Sequence, residues 1–204
     1  GRIAAVTRAY RPEVDGLRAI AVSAVAFYHA GFDAFSGGYV GVDIFFVISG
    51  FLISGIVYGE LRAGTFTILG FYERRARRIL PAVFLVLLAC WAFAWRLLTP
   101  GQLKDFSQSV VGVVGFVANH YFLMKTGYFS PSAEEIPLLH TWTLSVEEQF
   151  YLVLPVALLV AVRYRPRWTM GLLAFGFVVS LALCLRWEHR NPALNFFFAP
   201  TRAW

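Results

Sequence analysis

Cysteine is almost missing from this chain. Only Cys90 and Cys184 occur, both inside apolar runs where a thiol behaves as a small hydrophobe, so neither a disulfide framework nor a cysteine-based metal site is expected. Charge is scarce as well: Asp, Glu, Lys and Arg make up 15% of the residues, too little to cover the surface of a soluble domain. No segment is of low complexity, and no internal repeat stands out beyond general hydropathy. The polar opening, GRIAAVTRAYRPEVDGLR, has no short apolar region leading to a small-residue cleavage site. No signal peptide is read there, and the first span is expected to be its own targeting element.

What the chain has instead is apolar bulk. It is 58% hydrophobic with a mean hydropathy of +0.63, and its 20 Phe and 6 Trp exceed what a soluble core needs but suit lipid contacts and headgroup belts. Apolar stretches cover about 18–35, 38–58, 79–98, 106–124, 140–162 and 169–187, each near the roughly 20 residues that cross a bilayer. None alternates with period two, and lipid admits only helices or closed barrels. The expected fold is therefore all-α, a multi-pass transmembrane helical bundle.

The net charge of +6 is concentrated at Arg2, Arg8 and Arg11, at Arg74, Arg75, Arg77 and Arg78, and at Arg163, Arg165 and Arg167. This distribution fits positive-inside anchoring and not a nucleic-acid face. With a cytoplasmic N-terminus, the first two spans form a hairpin whose outer turn, DAFSGG, lacks Lys and Arg, and the RRARR loop returns to the cytoplasm. A full crossing by 106–124 would then put RYRPR outside, against the rule. That stretch is also the most polar of the six, with Ser107, Gln108, Ser109, Gly112, Gly115 and Asn119. Five crossings plus one re-entrant or outer-side element at 106–124 are expected.

Ionisable groups within the spans are costly and mark functional positions. They are Arg18, His29, Asp43, His120, His140, Glu147 and Glu148. Eleven helical steps separate Arg18 from His29, which returns the chain to within about 20° of the same face after a rise of about 16 Å. One face would carry a cation near the cytoplasmic end and an imidazole near mid-membrane. A snorkelling Arg18 and a hydrogen-bonded His29 would explain the pair equally well. In LLHTWTLSVEEQFYLVLP, His140, Leu144, Glu147 and Tyr151 share helical spacing, with Glu148 and Gln149 adjoining. Two adjacent carboxylates crowded in low dielectric suit an acid, a base or the partner of an imidazole; an interfacial cap is the plainer alternative. Arg74 and Arg78 stand at i and i+4 with Arg75 beside them, a pattern that serves a phosphate-rich ligand or a topology anchor. Glycines and serines at 38, 41, 49, 50, 54 and 55 permit close helix contact. Asp43 is placed to pair with an imidazole or to cap a helix.

Four of these pieces in order, YRPEVDGLRAIAV, GGYVGVDIFFVISGFLI, YERRARRILPA and PLLHTWTLSVEEQFYLVLP, resemble the acyltransferase 3 family of membrane acyltransferases, which includes O-antigen and peptidoglycan O-acetyltransferases. The resemblance runs from about Tyr10 to the end. Arg18 and His29 match the Arg and His of the family's first helix, Arg75 and Arg78 its cytoplasmic Arg-rich motif, and Glu147 and Glu148 its VEEQFY motif. It implies a cytoplasmic acyl-CoA donor, acetyl-CoA above all, a cell-envelope sugar or glycan acceptor at the outer face of a bacterial inner membrane, and no bound cofactor. His29 would be general base or transient acyl carrier. Arg74, Arg75 and Arg78 would hold CoA phosphates. Glu147 or Glu148 would orient an imidazole or the acceptor, with Asp43, His140 and Tyr151 in support. Family members have further spans, and many have an extracytoplasmic hydrolase-like domain. A chain that begins with Gly1 and stops at NFFFAPTRAW is accordingly expected to be the N-terminal part of a truncated acyltransferase 3 fold. The competing class is a proton-coupled transporter or flippase, since buried Arg, His and Glu also build proton relays; the missing inverted repeat and the Arg cluster speak against it. A structural membrane scaffold would leave Arg18 and His29 without a role.

Overall fold

The computed structural model describes residues 11–125, 136–164 and 166–203. Of the residues singled out above, Arg2, Arg8, Tyr10, Arg165 and Trp204 lie outside the described residues. All regular elements among the described residues are helical, and the chain divides into two compact units, Gly1–Gly55 and Ile56–Trp204.

The first unit is built on α1, Pro12–His29. Pro12 enters the first turn with its φ already helical, and Glu13 and Asp15 meet the positive end of the helix dipole there. Gly31, at φ +79°, ends it, because a left-handed position favours glycine. The helix thus begins earlier than the expected span at 18–35 and stops at His29, with Asp33–Phe35 forming a separate 3-10 turn. A second 3-10 turn, Gly38–Val40, leads into α2, Gly41–Ala63. A Cβ at Gly38 would run into the carbonyl of Ala24, and one at Gly41 into that of Ala21. Glycine is what lets the start of α2 lie directly on α1.

The second unit holds the remaining helices. Thr67 caps α3, Ile68–Leu97, by accepting from Gly70 N at 3.2 Å. The RRARR segment, expected as a loop ahead of a span at 79–98, is therefore part of a long helix whose start is set by its cap and not by hydropathy. α6 is Trp142–Tyr164, α7 Thr169–Glu188 and α8 Pro192–Phe197. Among the described residues, four segments are long and apolar enough to cross a membrane: Gly38–Ala63, Ile68–Leu97, Leu139–Tyr164 and Pro166–Glu188. α1 is not among them.

The stretch at 106–124 is not one helix. α4, Pro100–Val114, opens with a capping box between Thr99 and Gln102, and α5, Ala118–Lys125, follows after a sharp turn. At that turn Val117 N donates to Gly112 O at 2.8 Å and Phe116 N to Val113 O at 3.1 Å, the bond pattern of a Schellman cap. The left-handed residue, at φ +53°, is Phe116. α5 then folds back on α4: Tyr121 donates its hydroxyl hydrogen bond to Asp105 O at 2.9 Å, and Lys125 Nζ lies 2.7 Å from the Asp105 carboxylate. The segment ends beside its own beginning. Burial pushes the Tyr121 phenol up, and the hydrogen bond that Lys125 donates to the Asp105 carboxylate raises its ammonium. Lys125 therefore stays charged through neutral pH, and its share of the clasp fades only as pH rises through that raised value.

α6 is the centre of this unit. Pro155 lies inside it, which leaves the carbonyl of Tyr151 without its helical donor. Tyr72 of α3 supplies one: its hydroxyl donates to Leu152 O at 3.0 Å and to Tyr151 O at 3.3 Å. In lipid, where water cannot satisfy such a carbonyl, that contact ties α3 to α6.

Candidate functional site

α1 carries Arg18 and His29 on one unbroken helix, as their spacing requires. Arg18 is three-quarters covered: its side chain is 24% exposed, it lies 3.9 Å from Asp15, and its guanidinium stands 5.0 Å from the Phe45 ring centroid. Its Nε is buried with no hydrogen-bond partner among the described residues. His29 is exposed at the last position of the helix, not midway along a span, with Tyr28 edge-on at 5.1 Å. Its Nδ1 lies 2.8 Å from Val25 O. A carbonyl only accepts, so Nδ1 carries the proton and the neutral ring has its lone pair on Nε2. Asp43 is in the first turn of α2, where a carboxylate favours the helix dipole.

In the second unit the basic segment of α3 and the carboxylates of α6 meet. Arg75 Nη2 lies 3.4 Å from Glu148 Oε1, the two side chains being 13% and 14% exposed. The Arg75 guanidinium also stacks 3.8 Å above the ring of buried Tyr151. The Tyr151 hydroxyl, in turn, donates to Glu147 Oε1. Consecutive helical residues point about 100° apart, so each carboxylate has its own partner, and Tyr151 joins the two.

The other arginines separate by their partners. Arg74 Nη2 donates to both carboxylate oxygens of Glu60 at 2.9 Å, and Arg77 Nη2 lies 2.7 Å from Glu73 Oε1. Arg78 is exposed and makes no ion pair among the described residues. Arg75, expected as a phosphate ligand, is turned inward; its Nε has no hydrogen-bond partner among the described residues. His140 is exposed in the 3-10 turn Leu139–Thr141 ahead of α6, outside the stripe that continues through Leu144, Glu147 and Tyr151.

A buried amide cluster that sequence spacing does not reveal lies on another side of α6. Asn119, fully buried, exchanges hydrogen bonds with Gln149, at 3.3 Å outward and 2.9 Å in return. It also donates to Phe197 O at 3.0 Å and accepts from His120 Nδ1 at 3.1 Å. The polar residues counted along 106–124 were the available signal, but nothing in their spacing names Gln149 as the partner. The first unit, taken by itself, offers an imidazole whose Nε2 can accept a proton; the second offers a carboxylate–phenol pair, an inward arginine and a cationic helix face.

The chain from residue 11 to 204 matches the model of an acyltransferase domain family. It is 35% identical over 179 residues to O-acetyltransferase OatA of Staphylococcus aureus strain NCTC 8325, covering 86% of this chain and 29% of that protein. It matches a putative O-acetyltransferase of strain MSSA476 at 35% identity, over 86% of this chain and 30% of the relative. The chain thus spans under a third of the length of these curated relatives. No solved structure matches it significantly.

Proposed function

The chain belongs to this acyltransferase family, and on that premise we propose that it forms part of a bacterial membrane O-acetyltransferase acting on a cell-envelope glycan. In this reading acetyl-CoA is the donor on the cytoplasmic side, a sugar hydroxyl of peptidoglycan or lipopolysaccharide is the acceptor on the outer side, and the chain lies in the inner membrane with its N-terminus in the cytoplasm. Further spans, and an extracytoplasmic hydrolase-like domain where present, would complete the passage. The S. aureus relatives carry the names of O-acetyltransferases, and the family match weighs against a proton-coupled transporter or flippase.

The observation that carries the chemistry is the 2.8 Å contact of His29 Nδ1 with Val25 O, which leaves Nε2 as the accepting nitrogen of the neutral ring. Nε2 can take the proton of a hydroxyl as its oxygen attacks the acetyl carbonyl and the CoA thiolate leaves, or it can attack the thioester itself and hold the acetyl group until the hydroxyl arrives. Arg18, with its unpartnered Nε, stands on the same helix for the donor or the developing charge. Glu147 and Glu148 position the acceptor or an imidazole, with Tyr151, Asp43 and His140 in support.

The α3 arginines have distinct parts in this reading. Arg78 and Arg74 face outward for CoA phosphates, and Arg75 links that surface to Glu148. In the full-length protein, Arg78→Ala should weaken binding of a non-hydrolysable acetyl-CoA analogue several-fold at low salt and leave thermal stability unchanged. The difference should shrink as ionic strength rises. Equal affinity of Arg78→Ala and wild type at low salt would reduce the segment to a topology anchor.

The hairpin of α4 and α5 is assigned to the outer side, so that RYRPR returns to the cytoplasm. With Cys90 and Cys184 replaced by alanine, single cysteines at Lys104 and Met124 should both react with an impermeant maleimide added outside. Labelling from opposite sides would show that this segment crosses and would invert everything after it.

A further inference from the structure

The α4–α5 hairpin holds a bulky aromatic residue where its turn calls for glycine. Phe116 at φ +53° is in a strained conformation for a bulky side chain, and such a conformation persists only where its surroundings over-determine it. Those surroundings come from α6. Gln149 Nε2 donates to Phe116 O at 2.9 Å, and Ser145 Oγ, one helical turn earlier and buried, accepts from Ala118 N at 3.1 Å. Two residues on one stripe of α6 thus hold both sides of the turn, one by the carbonyl of Phe116 and the other by the first N–H of α5.

The amides cannot be reversed without loss. Gln149 must present its NH2 to Phe116 O and to Asn119 Oδ1, and Asn119 must present its own NH2 to Phe197 O. The Asn119 oxygen therefore only accepts, from Gln149 and from His120 Nδ1, and the cluster has one consistent orientation. It joins three parts of the unit: the hairpin turn, the carboxylate helix and the buried carbonyl of α8. Glu147 and Glu148 immediately precede Gln149 in the same helix, so the clamp seats the hairpin beside the carboxylate turn of α6.

We propose that Gln149 and Asn119 are positioning residues: they clamp the strained Phe116 turn to α6, and so set the hairpin against the helix that bears Glu147 and Glu148, shaping the acceptor side of the transfer site. This rests on the assignment of those carboxylates to transfer and of the hairpin to the outer face. The clamp works through the turn and touches no reacting atom. Its loss therefore acts on acceptor use and not on donor binding.

The test uses the full-length enzyme in membranes, with acetyl-CoA and an oligosaccharide acceptor. Gln149→Ala and Asn119→Ala should each raise the acceptor KM at least tenfold while affinity for the acetyl-CoA analogue stays within twofold. The double variant should be no worse than the poorer single, because both break one clamp. Phe116→Gly, which adopts the turn without strain, should restore part of the activity lost in Gln149→Ala. A loss of donor and acceptor binding in equal measure, or no recovery with Phe116→Gly, would overturn the clamp. If Glu147→Gln and Glu148→Gln both leave transfer intact, the site assignment fails instead, and independently.

Discussion

His29→Gln in the full-length protein is expected to abolish acetyl transfer to the acceptor while expression and membrane insertion remain normal. The amide keeps a donor for Val25 O but cannot take a proton or hold an acyl group at the position of Nε2. As general base the imidazole is worth about 10²–10⁴-fold, and as acyl carrier its removal leaves no route. Quantifying ester-linked acetate on the glycan by mass spectrometry measures the effect. His29→Ala should be equally inactive, since neither variant has a basic nitrogen. Transfer by His29→Gln within tenfold of wild type would make the imidazole a helix-terminal hydrogen-bond donor and nothing more.

Arg75→Ala should be the most destabilising change in the basic segment, by roughly 3–5 kcal/mol, because it strands the Glu148 carboxylate in a covered site and strips the cation from the Tyr151 ring. Arg77→Ala, whose partner Glu73 is exposed on the same helix, should cost little. Arg75→Ala with Glu148→Ala should be more stable than Arg75→Ala alone, since no charge is then left unpaired. Unfolding in detergent, followed by tryptophan fluorescence, distinguishes the cases. If Arg75→Ala proves no more costly than Arg77→Ala, the pair is a surface contact, and Arg75 returns to the role of a phosphate ligand alongside Arg78.

Hydropathy located most of the long helices but not their ends. α1 starts and stops at Pro12 and His29 because of a proline, two early carboxylates and Gly31, none of which enters a sum of apolar residues. α3 begins at Ile68 because Thr67 caps it, which moves the arginines from an expected loop onto a helix face and lets Arg75 turn inward. The stretch at 106–124 was legible as too polar for an ordinary span. Its form, two helices around a left-handed Phe116, was not, since that residue type argues against the conformation it adopts.

The sequence by itself determined that this chain is helical and belongs in a bilayer: its apolar runs are long, non-alternating and almost without charge, and only hydrogen bonds within each segment can satisfy the backbone there. It also determined that Arg18 and His29 share a helix face and that four ordered motifs point to acyl transfer. The partners were decided by tertiary structure alone. Glu147 and Glu148 are neighbours in the chain, yet one meets Tyr151 and the other Arg75, while Gln149 meets Asn119 on another side. Each step along a helix rotates the side chain by about 100°, and which helix waits at that angle is settled by how α3, α5 and α6 close on one another, long after local spacing has been used up.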